Sequence, residues 1–487
     1  MTARRAALLV AAGALLLHLA CGGNYGWFRD ELYFLACGRR LAFGYVDQPP
    51  LIALVSRISF ALSGGHVALY RLPAALAHAA AVLLVGRLAQ KLGGGTFATV
   101  TACVCVAVAP EYVAEGSLLT MNAFEPLLYL ALCLLVTTLL RGGDERLWLA
   151  AGALTGVGVL NKHSFLFYAG CLLAGILVTD RRVLRSRWLL GGVLLAALLL
   201  LPHAIWQVQH GFPMLELLSA QKWKNAPWSL RGYVVDQAMD LNPPAVLVLL
   251  AGLVLLWRDL RPLAIAFLLE ELLFGVLKGK PYYLAPAWLP LFAMGGVAVQ
   301  RIASRWRVVI PALIGATGLV VAPLAAPLLR PDLFLRYQAA LGFAPQKLEN
   351  KRYGPLPQHF ADQFGWPELH EAVGRARAKL WQGEVAAVFT QNYGEAGALE
   401  LLGSAGLPVV SGHNSYFLWG VPKGLESVLI VGGRLQDHQR SFEQCEAAAQ
   451  EEDEPLAMPY ERQLTIWLCR IPRVPVEELW PRVKHYE

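Results

Sequence analysis

Three carboxylates lie in the polar stretch 24–54, which directly follows the first apolar run of the chain: Asp30, Glu31 and Asp47. An acidic residue in a loop is usually a solvated surface group. Here, however, the sequence around these residues is rich in aromatic side chains, namely Phe28, Tyr33, Phe34, Phe43 and Tyr45. A carboxylate beside apolar rings loses hydration, which raises its pKa and its basicity. The stretch is therefore predicted to hold a general base, and Asp30 is the candidate.

A second polar group stands at the start of a later apolar run, in the segment 118–129. It contains Asn122 and Glu125. A charge inside a membrane span is expensive and therefore marks a functional candidate. The alternative is that Glu125 simply begins a helix above the hydrocarbon, with Pro126 in the first turn. The sequence leaves both interpretations open.

Cations and tyrosines gather at the ends of other apolar runs. The group comprises Lys162 and His163 at the tip of a short hairpin, Lys278, Lys280, Tyr282 and Tyr283 in 278–286, and Lys222, Lys224 and Arg231 in 207–242. Lysines at such positions usually extend to lipid headgroups. They also supply charge-assisted hydrogen bonds to phosphate. Carboxylates and cations on one face fit a lipid-phosphate substrate that meets a base.

The evidence for a metal or another cofactor is weak. No cysteine or histidine spacing resembles a zinc site. His163 could act as a ligand, and Asp47 and His163 could meet in the folded chain, but a lone histidine is a weak signal. The sequence predicts no certain cofactor and leaves a divalent metal open.

The composition indicates an integral membrane protein. Of the 487 residues, 56% are hydrophobic and only 16% are charged, against roughly 25% charged in soluble domains. The mean hydropathy is +0.46. The net charge of +7 does not indicate nucleic-acid binding, because the basic residues recur in small clusters between apolar runs, as in cytoplasmic loops.

Eleven apolar runs are predicted to cross the membrane: 6–20, 67–86, 97–113, 118–140, 147–160, 164–179, 188–206, 243–257, 262–277, 282–300 and 308–329. With a cytoplasmic N-terminus, arginine and lysine are enriched in every alternate loop, as the positive-inside rule requires. Joining 147–179 into one span would destroy this pattern. An odd number of spans places residues 330–487 outside. The first run could instead be a cleaved signal peptide. In that case, a lipoprotein-type cleavage site at Cys21 is possible.

The C-terminal segment 330–487 is predicted to be a small α/β domain with its own core. Its apolar segments 384–390, 426–433 and 462–470 are predicted strands, and 394–403 and 436–450 are predicted helices. "PPLIALVSRISFALS" (49–63) is predicted to be an amphipathic helix in the membrane interface. Two cysteine pairs are possible outside the membrane, Cys445 with Cys469 and Cys21 with Cys37.

Several segments resemble one known family. "FRDELYFLACGRRLAFGYVDQPPLIAL" resembles the first external loop of bacterial membrane glycosyltransferases of the protein O-mannosyltransferase and aminoarabinose-transferase superfamily, the GT-C fold (glycosyltransferase family 39-like). "SLLTMNAFEPLLY", "LNKHSFLFY", "KPYYLAPAWLP", "YGEAGALE" and "SGHNSYFLWG" resemble further family segments in the same order. The resemblance covers essentially the whole chain.

The resemblance implies a mostly α-helical polytopic inner-membrane protein of the cell envelope. A transmembrane GT-C domain would occupy 1–329, with its catalytic first outside loop at 21–66, and an external α/β domain would occupy 330–487. It also implies inverting transfer of a sugar from a polyprenyl-phosphate carrier to a lipid, glycan or protein acceptor. The partners are then this donor, the acceptor and the lipid bilayer.

By the same resemblance, Asp30 is the general base, Glu31 completes the catalytic Asp-Glu pair and Asp47 shapes the site. The other implied substrate-binding residues are Tyr33, Tyr45, Asn122, Glu125, Lys162, His163, Lys278, Lys280, Tyr282 and Tyr283. Gln48 departs from the pattern, because the aminoarabinose enzymes have a lysine there. The role of binding the carrier phosphate therefore shifts to Lys278 and Lys280, with Arg57 and Arg231 as further candidates.

Two other classes of protein compete with the enzyme. A transporter or flippase of a lipid-linked sugar would suit eleven spans, but transporters place charged sites near the bilayer midplane, whereas the polar clusters here lie at one face. A non-catalytic scaffold could bind cell-wall glycan through "NSYFLWG", a segment that equally suits acceptor recognition or core packing.

Overall fold

The computed structural model describes residues 2–487 apart from 225–226, 303, 345–346, 348 and 405, and only the backbone of 221–224 and 304. The side chains of Lys222 and Lys224, predicted as surface cations, therefore lie outside the described residues. The fold joins a large helical part to a C-terminal part built around a five-stranded sheet.

The helical part contains eighteen α-helices among the described residues: α1 Ala3–Cys21, α2 Arg29–Arg39, α3 Leu51–Ser63, α4 Val67–Tyr70, α5 Leu72–Lys91, α6 Thr96–Val108, α7 Pro110–Ser117, α8 Glu125–Leu140, α9 Leu147–Asn161, α10 Phe165–Thr179, α11 Arg187–Gln209, α12 Pro213–Lys224, α13 Leu230–Asp240, α14 Pro243–Asp259, α15 Arg261–Val276, α16 Ala285–Gln300, α17 Ser304–Ala325 and α18 Pro331–Ala340.

Six helical segments of the described chain are long and apolar enough to cross a membrane, and two bent pairs raise the number to eight. The six are Ala3–Cys21, Leu72–Lys91, Met121–Leu140, Arg187–Gln209, Pro281–Gln300 and Arg305–Ala325. The bent pairs are α6 with α7, at 58°, and α13 with α14, at 100°. All eleven predicted spans fall on helices, but α9, α10 and α15 have only 15, 15 and 16 residues.

One predicted span begins at a different residue and another is bent, and a proline lies at each place. The span predicted at 67–86 lies at Leu72–Lys91, because Pro73 favours a helix start and Arg71 is drawn into a buried ion pair. The span predicted at 97–113 bends between Val108 and Pro110, since a proline removes a helical hydrogen bond.

Helix α16 is the centre of the bundle and is almost wholly buried. Its Gly295 faces α14 so closely that an added Cβ would lie 2.1 Å from the carbonyl oxygen of Val248, and Gly252 of α14 approaches Leu291 equally closely. Small residues allow helix backbones to approach in this way inside membranes. The tight α14–α16 contact thus depends on glycine at both positions.

The C-terminal part consists of helices and a sheet. The helices are α19 Gln358–Ala361, α20 Trp366–Arg377, α21 Tyr393–Leu402, α22 Ser415–Trp419, α23 Leu435–His438 and α24 Val476–Leu479. The strands are β1 Ala386–Thr390, β2 Val409–Ser411, β3 Ser427–Val431, β4 Phe442–Gln450 and β5 Thr465–Pro472, in the order β2-β1-β3-β5-β4. Strands β2, β1 and β3 are parallel, whereas β5 and β4 pair antiparallel. The predicted α/β class, three strands and helix 394–403 are confirmed.

The helix predicted at 436–450 was wrong: most of it forms the edge strand β4. Alanine and glutamate favour a helix locally, but pairing along β5 overrides this preference. Cys445 faces Cys469 across the strand pair, and of the two possible disulfides this one is present. Cys21 and Cys37 are buried and free, so the other possible pair does not form.

Candidate active site

Helix α2 is held against the helical bundle by a buried ion pair. Glu31 is fully buried, and its Oε2 lies 2.8 Å from Arg71 Nη2. The same carboxylate accepts hydrogen bonds from the backbone N–H groups of Phe28 and Leu119. Arg71 also donates to the carbonyl oxygens of Gly22 and Gly26. Because both carboxylate oxygens are engaged inside the protein, Glu31 is placed to position α2.

The neighbouring Asp30 lies on a different side of α2 and keeps partial exposure. Its Oδ1 accepts a hydrogen bond of 2.9 Å from the hydroxyl of Tyr393, the first residue of α21. The adjacent Arg29 is buried, donates to the Tyr460 hydroxyl at 3.0 Å and lies 3.8 Å from Glu461. The C-terminal part thus contacts the predicted base directly.

Asp47 lies near α2 and is also held by the C-terminal part. Its Oδ1 accepts a 2.8 Å hydrogen bond from Tyr33, whose hydroxyl lies 2.7 Å from Ser415 Oγ. Its Oδ2 accepts from the side-chain amide of Asn414 at 3.2 Å. Loss of hydration raises the pKa of Asp47 to about 6, although these donors favour the ionised form. Asp30 and Asp47 therefore form one group, with Tyr33 and Tyr393 stacked 4.6 Å apart between them.

Glu125 and Lys162 form a second polar group at the end of the bundle. Their side chains make a 2.9 Å ion pair, and Glu125 also accepts from Ser164. The Lys162 ammonium lies 4.8 Å from the centre of the Tyr283 ring. Glu125 begins α8 with Pro126 in the first turn, as the structural alternative predicted, but it is also buried and paired.

Tyr282 lies beside the second group. Its ring packs edge-on against Tyr283 with ring centres 4.8 Å apart, and Tyr283 is the ring that Lys162 contacts. Among the predicted phosphate ligands, Lys280 is half-buried and lies 5.9 Å from the Tyr282 ring centre, whereas Lys278 is exposed.

The remaining predicted residues lie at the margins of these groups. His163 Nε2 lies 2.9 Å from His203 Nε2, and His203 Nδ1 lies 2.8 Å from the carbonyl oxygen of Phe43. Tyr45 is buried and donates to the carbonyl oxygens of Cys37 and Arg40, which fixes the loop 41–50. Asn122 is half-buried beside Glu125 in a short 3-10 turn.

The structure does not offer a convincing metal site within its described part. The predicted pair Asp47 and His163 is engaged with different partners, as above. One group of three residues that could bind a metal, His413, His485 and Glu487, lies together in the C-terminal part. However, both ring nitrogens of His485 already face backbone carbonyl oxygens, at 2.9 and 3.0 Å. A cation would have to replace these hydrogen bonds, so the residues fit a metal poorly.

Several residues of the site escaped the sequence reasoning. Arg71 was hidden inside a predicted span, although an arginine in an apolar run is itself a functional signal. Tyr393, Asn414 and Ser415 lie in "YGEAGALE" and "SGHNSYFLWG", segments marked only as family-like. Their polar residues could have been predicted to face the first loop.

Comparison with known proteins gives sequence matches over part of the chain. Residues 47–206 match the family model described as dolichyl-phosphate-mannose-protein mannosyltransferase. Lipid A galacturonosyltransferase RgtD of Rhizobium johnstonii is 29% identical over 192 residues, 38% of this chain and 39% of that protein. An undecaprenyl phosphate-α-4-amino-4-deoxy-L-arabinose arabinosyl transferase of Pseudomonas fluorescens is 30% identical over 181 residues, 33% of this chain and 32% of that protein. The alignments thus span about a third to two fifths of these relatives.

Solved structures show the fold over nearly the whole chain. ArnT from Cupriavidus metallidurans in the apo state superposes with a TM-score of 0.64 at 14% identity, covering 94% of this chain and 97% of ArnT. The same protein bound to undecaprenyl phosphate gives 0.62. The mycobacterial arabinofuranosyltransferase AftD gives 0.56 at 16% identity, over 96% of this chain and 40% of AftD. The predicted resemblance is confirmed.

Proposed function

Because the chain has the GT-C fold of ArnT, we propose that it transfers a sugar from a polyprenyl-phosphate carrier to an acceptor at the outer face of the cytoplasmic membrane. The acceptor is a lipid, a glycan or a protein, and the anomeric centre is inverted. The observation that carries this proposal is Asp30, a half-exposed carboxylate held by Tyr393 where the helical bundle meets the C-terminal part. A carboxylate so placed suits the activation of an acceptor hydroxyl.

The chemistry needs a base and a site for the leaving phosphate. Asp30 takes the proton of the acceptor hydroxyl while that oxygen attacks the anomeric carbon, and the bond from this carbon to the carrier phosphate oxygen breaks. The released polyprenyl phosphate needs its charge balanced. Lys280, half-buried near Tyr282, is better placed for this than the exposed Lys278. Lys162 already neutralises Glu125.

The proposal includes a topology. The N-terminus is cytoplasmic, eleven helices cross the inner membrane within 1–329, and residues 330–487 form an external domain. The alternation of basic loops supports this arrangement, as does the outward apolar row Leu54, Ile58 and Leu62 of α3, which suits a helix lying in the interface. Glu31, Tyr33, Tyr45 and Asp47 then shape the catalytic loop.

The experiment that tests the function is a transfer assay on the purified full chain, with a panel of polyprenyl-phosphate sugars and mass spectrometry of the products. Asp30→Asn is expected to lower kcat by at least about 100-fold, because general base catalysis contributes about 10²–10⁴-fold. Binding of the carrier and the unfolding temperature should not change. Asp437→Asn, at an exposed carboxylate, is the matched control and should retain activity.

Failure of the wild-type chain to transfer any of these sugars would argue against the enzyme. Full activity of Asp30→Asn would instead exclude Asp30 as the base and leave the transferase standing. The first result tests the transferase function, and the second tests only the role of Asp30 as its base.

A further inference from the structure

We infer that Tyr393, which lies in the C-terminal part, is a positioning residue for the base Asp30. This inference rests on the proposed function. It assigns a role in the reaction to a residue that lies beyond position 206, where the match to the family model ends. The inference starts from one hydrogen bond, Tyr393 Oη to Asp30 Oδ1 at 2.9 Å.

The Tyr393 ring is fixed on several sides. It stacks on Tyr33 at 4.6 Å and lies 4.6 Å from the ring of His413. The guanidinium of Arg29 lies 4.9 Å from its centre. The ring is 8% exposed. A hydroxyl on so constrained a ring has little freedom to leave the carboxylate, so it restricts the orientation of Asp30.

The backbone of α21 is fixed as well. The side chain of Asn392 caps this helix by accepting from the N–H groups of Gly394 and Glu395, which places Tyr393 at the first helical position. Gly397 approaches α2 so closely that a Cβ would lie 2.8 Å from the carbonyl group of Leu32. Helices α2 and α21 therefore pack closely at a fixed position along each other, and this packing places Tyr393 next to Asp30.

The second carboxylate of the site is held in the same way. Asn414 donates directly to Asp47, and Ser415 contacts Tyr33, the other donor to Asp47. Both carboxylates thus have donors that depend on the C-terminal part. If the C-terminal part moved away, Asp30 and Asp47 would each lose a hydrogen-bond donor. The orientation of the base therefore depends on the contact between the C-terminal part and the helical bundle.

The test compares two variants that each remove one tyrosine hydroxyl and keep the ring. Tyr393→Phe removes the donor to Asp30. Tyr416→Phe is the matched control: Tyr416 is 2% exposed, packs 6.3 Å from Tyr33, and its hydroxyl has no hydrogen-bond partner among the described residues. Both variants should unfold at nearly the wild-type temperature.

Tyr393→Phe is expected to lower kcat about tenfold or more, as befits a hydrogen bond to a charged group, and to change KM for the carrier less than about twofold. Because a donated hydrogen bond favours the ionised carboxylate, its loss should also move the acid limb of the kcat/KM–pH profile to higher pH. Tyr416→Phe should leave both quantities unchanged.

Wild-type kcat and an unmoved pH profile in Tyr393→Phe would overturn the positioning role. Equal losses in both variants would also overturn it, because they would reflect packing of the aromatic cluster. An inactive wild-type chain would instead refute the proposed function, so the two failures are distinguishable.

Discussion

Asp30 and Glu31 are adjacent in the chain but have opposite surroundings. Glu31 is fully buried and saturated by Arg71 and two backbone N–H groups, whereas Asp30 is partly exposed and accepts a hydrogen bond from the hydroxyl of Tyr393. Removing one partner of a buried ion pair costs about 3–5 kcal/mol. Substitution of Glu31 should therefore act through stability, and substitution of Asp30 through chemistry. We therefore expect the predicted catalytic pair to divide into a positioning residue, Glu31, and a reacting residue, Asp30.

The two lysines proposed for the carrier phosphate should also differ. Lys280→Ala is expected to raise the apparent KM for the polyprenyl-phosphate donor about tenfold, the usual value of one charge-assisted hydrogen bond. Lys278→Ala should have a smaller effect, because this side chain is exposed and screened. Steady-state kinetics at fixed ionic strength measure both values, with the exposed Lys423→Ala as control. An unchanged KM in Lys280→Ala would remove this residue from the phosphate site.

Sequence reasoning identified the residues of the first loop but not their partners. Asp30, Tyr33 and Asp47 lie within 18 positions of each other, so their types and spacing suffice to predict a site in this stretch. Tyr393 and Asn414 are more than 360 positions away from the residues they bind. Such contacts depend on how the C-terminal part docks, and no local pattern encodes that geometry.

Helices and strands were predicted correctly where the apolar pattern of the sequence matches the burial of the element in the fold. The apolar runs of the bundle and the buried strands β1, β3 and β5 were found because burial itself sets their pattern. Strand β4 was not predicted because its sequence, "FEQCEAAAQ", is rich in alanine and glutamate, which favour a helix. Its extended conformation depends on pairing with β5. Edge strands carry the weakest sequence signal, since one side has no partner.

The contact between α2 and α21 supports a prediction at this scale. Gly397→Ala is expected to destabilise the chain by about 1–3 kcal/mol, the usual cost of overpacking, since its Cβ would meet the backbone of Leu32 at 2.8 Å. Transfer activity should fall as well, because α21 carries Tyr393. Thermal unfolding and the transfer assay measure the two effects.

Gly374→Ala on α20 is the matched control for that variant. A Cβ at this helical position would meet no atom within 4 Å, and alanine is favoured over glycine in a helix by about 1 kcal/mol. The control should therefore keep its activity and unfold at the same or a higher temperature. Normal stability and activity in Gly397→Ala would show that the two helices can separate without consequence.

At the scale of the whole molecule, buried carboxyl groups couple the C-terminal part to pH. Burial raises the pKa of Asp362 to about 7, of Glu395 to about 8 and of Glu451 to about 7. In the unfolded chain, the same carboxyl groups have pKa values of about 4. At pH values between the unfolded and the folded pKa, these groups keep their protons in the folded chain but release them in the unfolded chain. The free energy of unfolding therefore falls as the pH rises through this range. Half-buried His359, whose pKa desolvation lowers to about 4, acts in the opposite direction at acid pH.

A variant of Glu451 isolates one of these contributions. Glu451→Gln retains an oxygen that can accept from the N–H of Leu464 but cannot ionise. Because every other group is unchanged, the difference in unfolding temperature between variant and wild type depends on Glu451 alone. That difference should grow in favour of the variant from about pH 5 to pH 8, since only the wild type acquires a buried charge close to Glu461. Glu371→Gln, at a side chain that is 66% exposed, should show the same difference at every pH. A Glu451→Gln difference that stays constant or shrinks with rising pH would mean that Glu451 is already ionised in the folded chain at pH 5, and that burial does not control its charge.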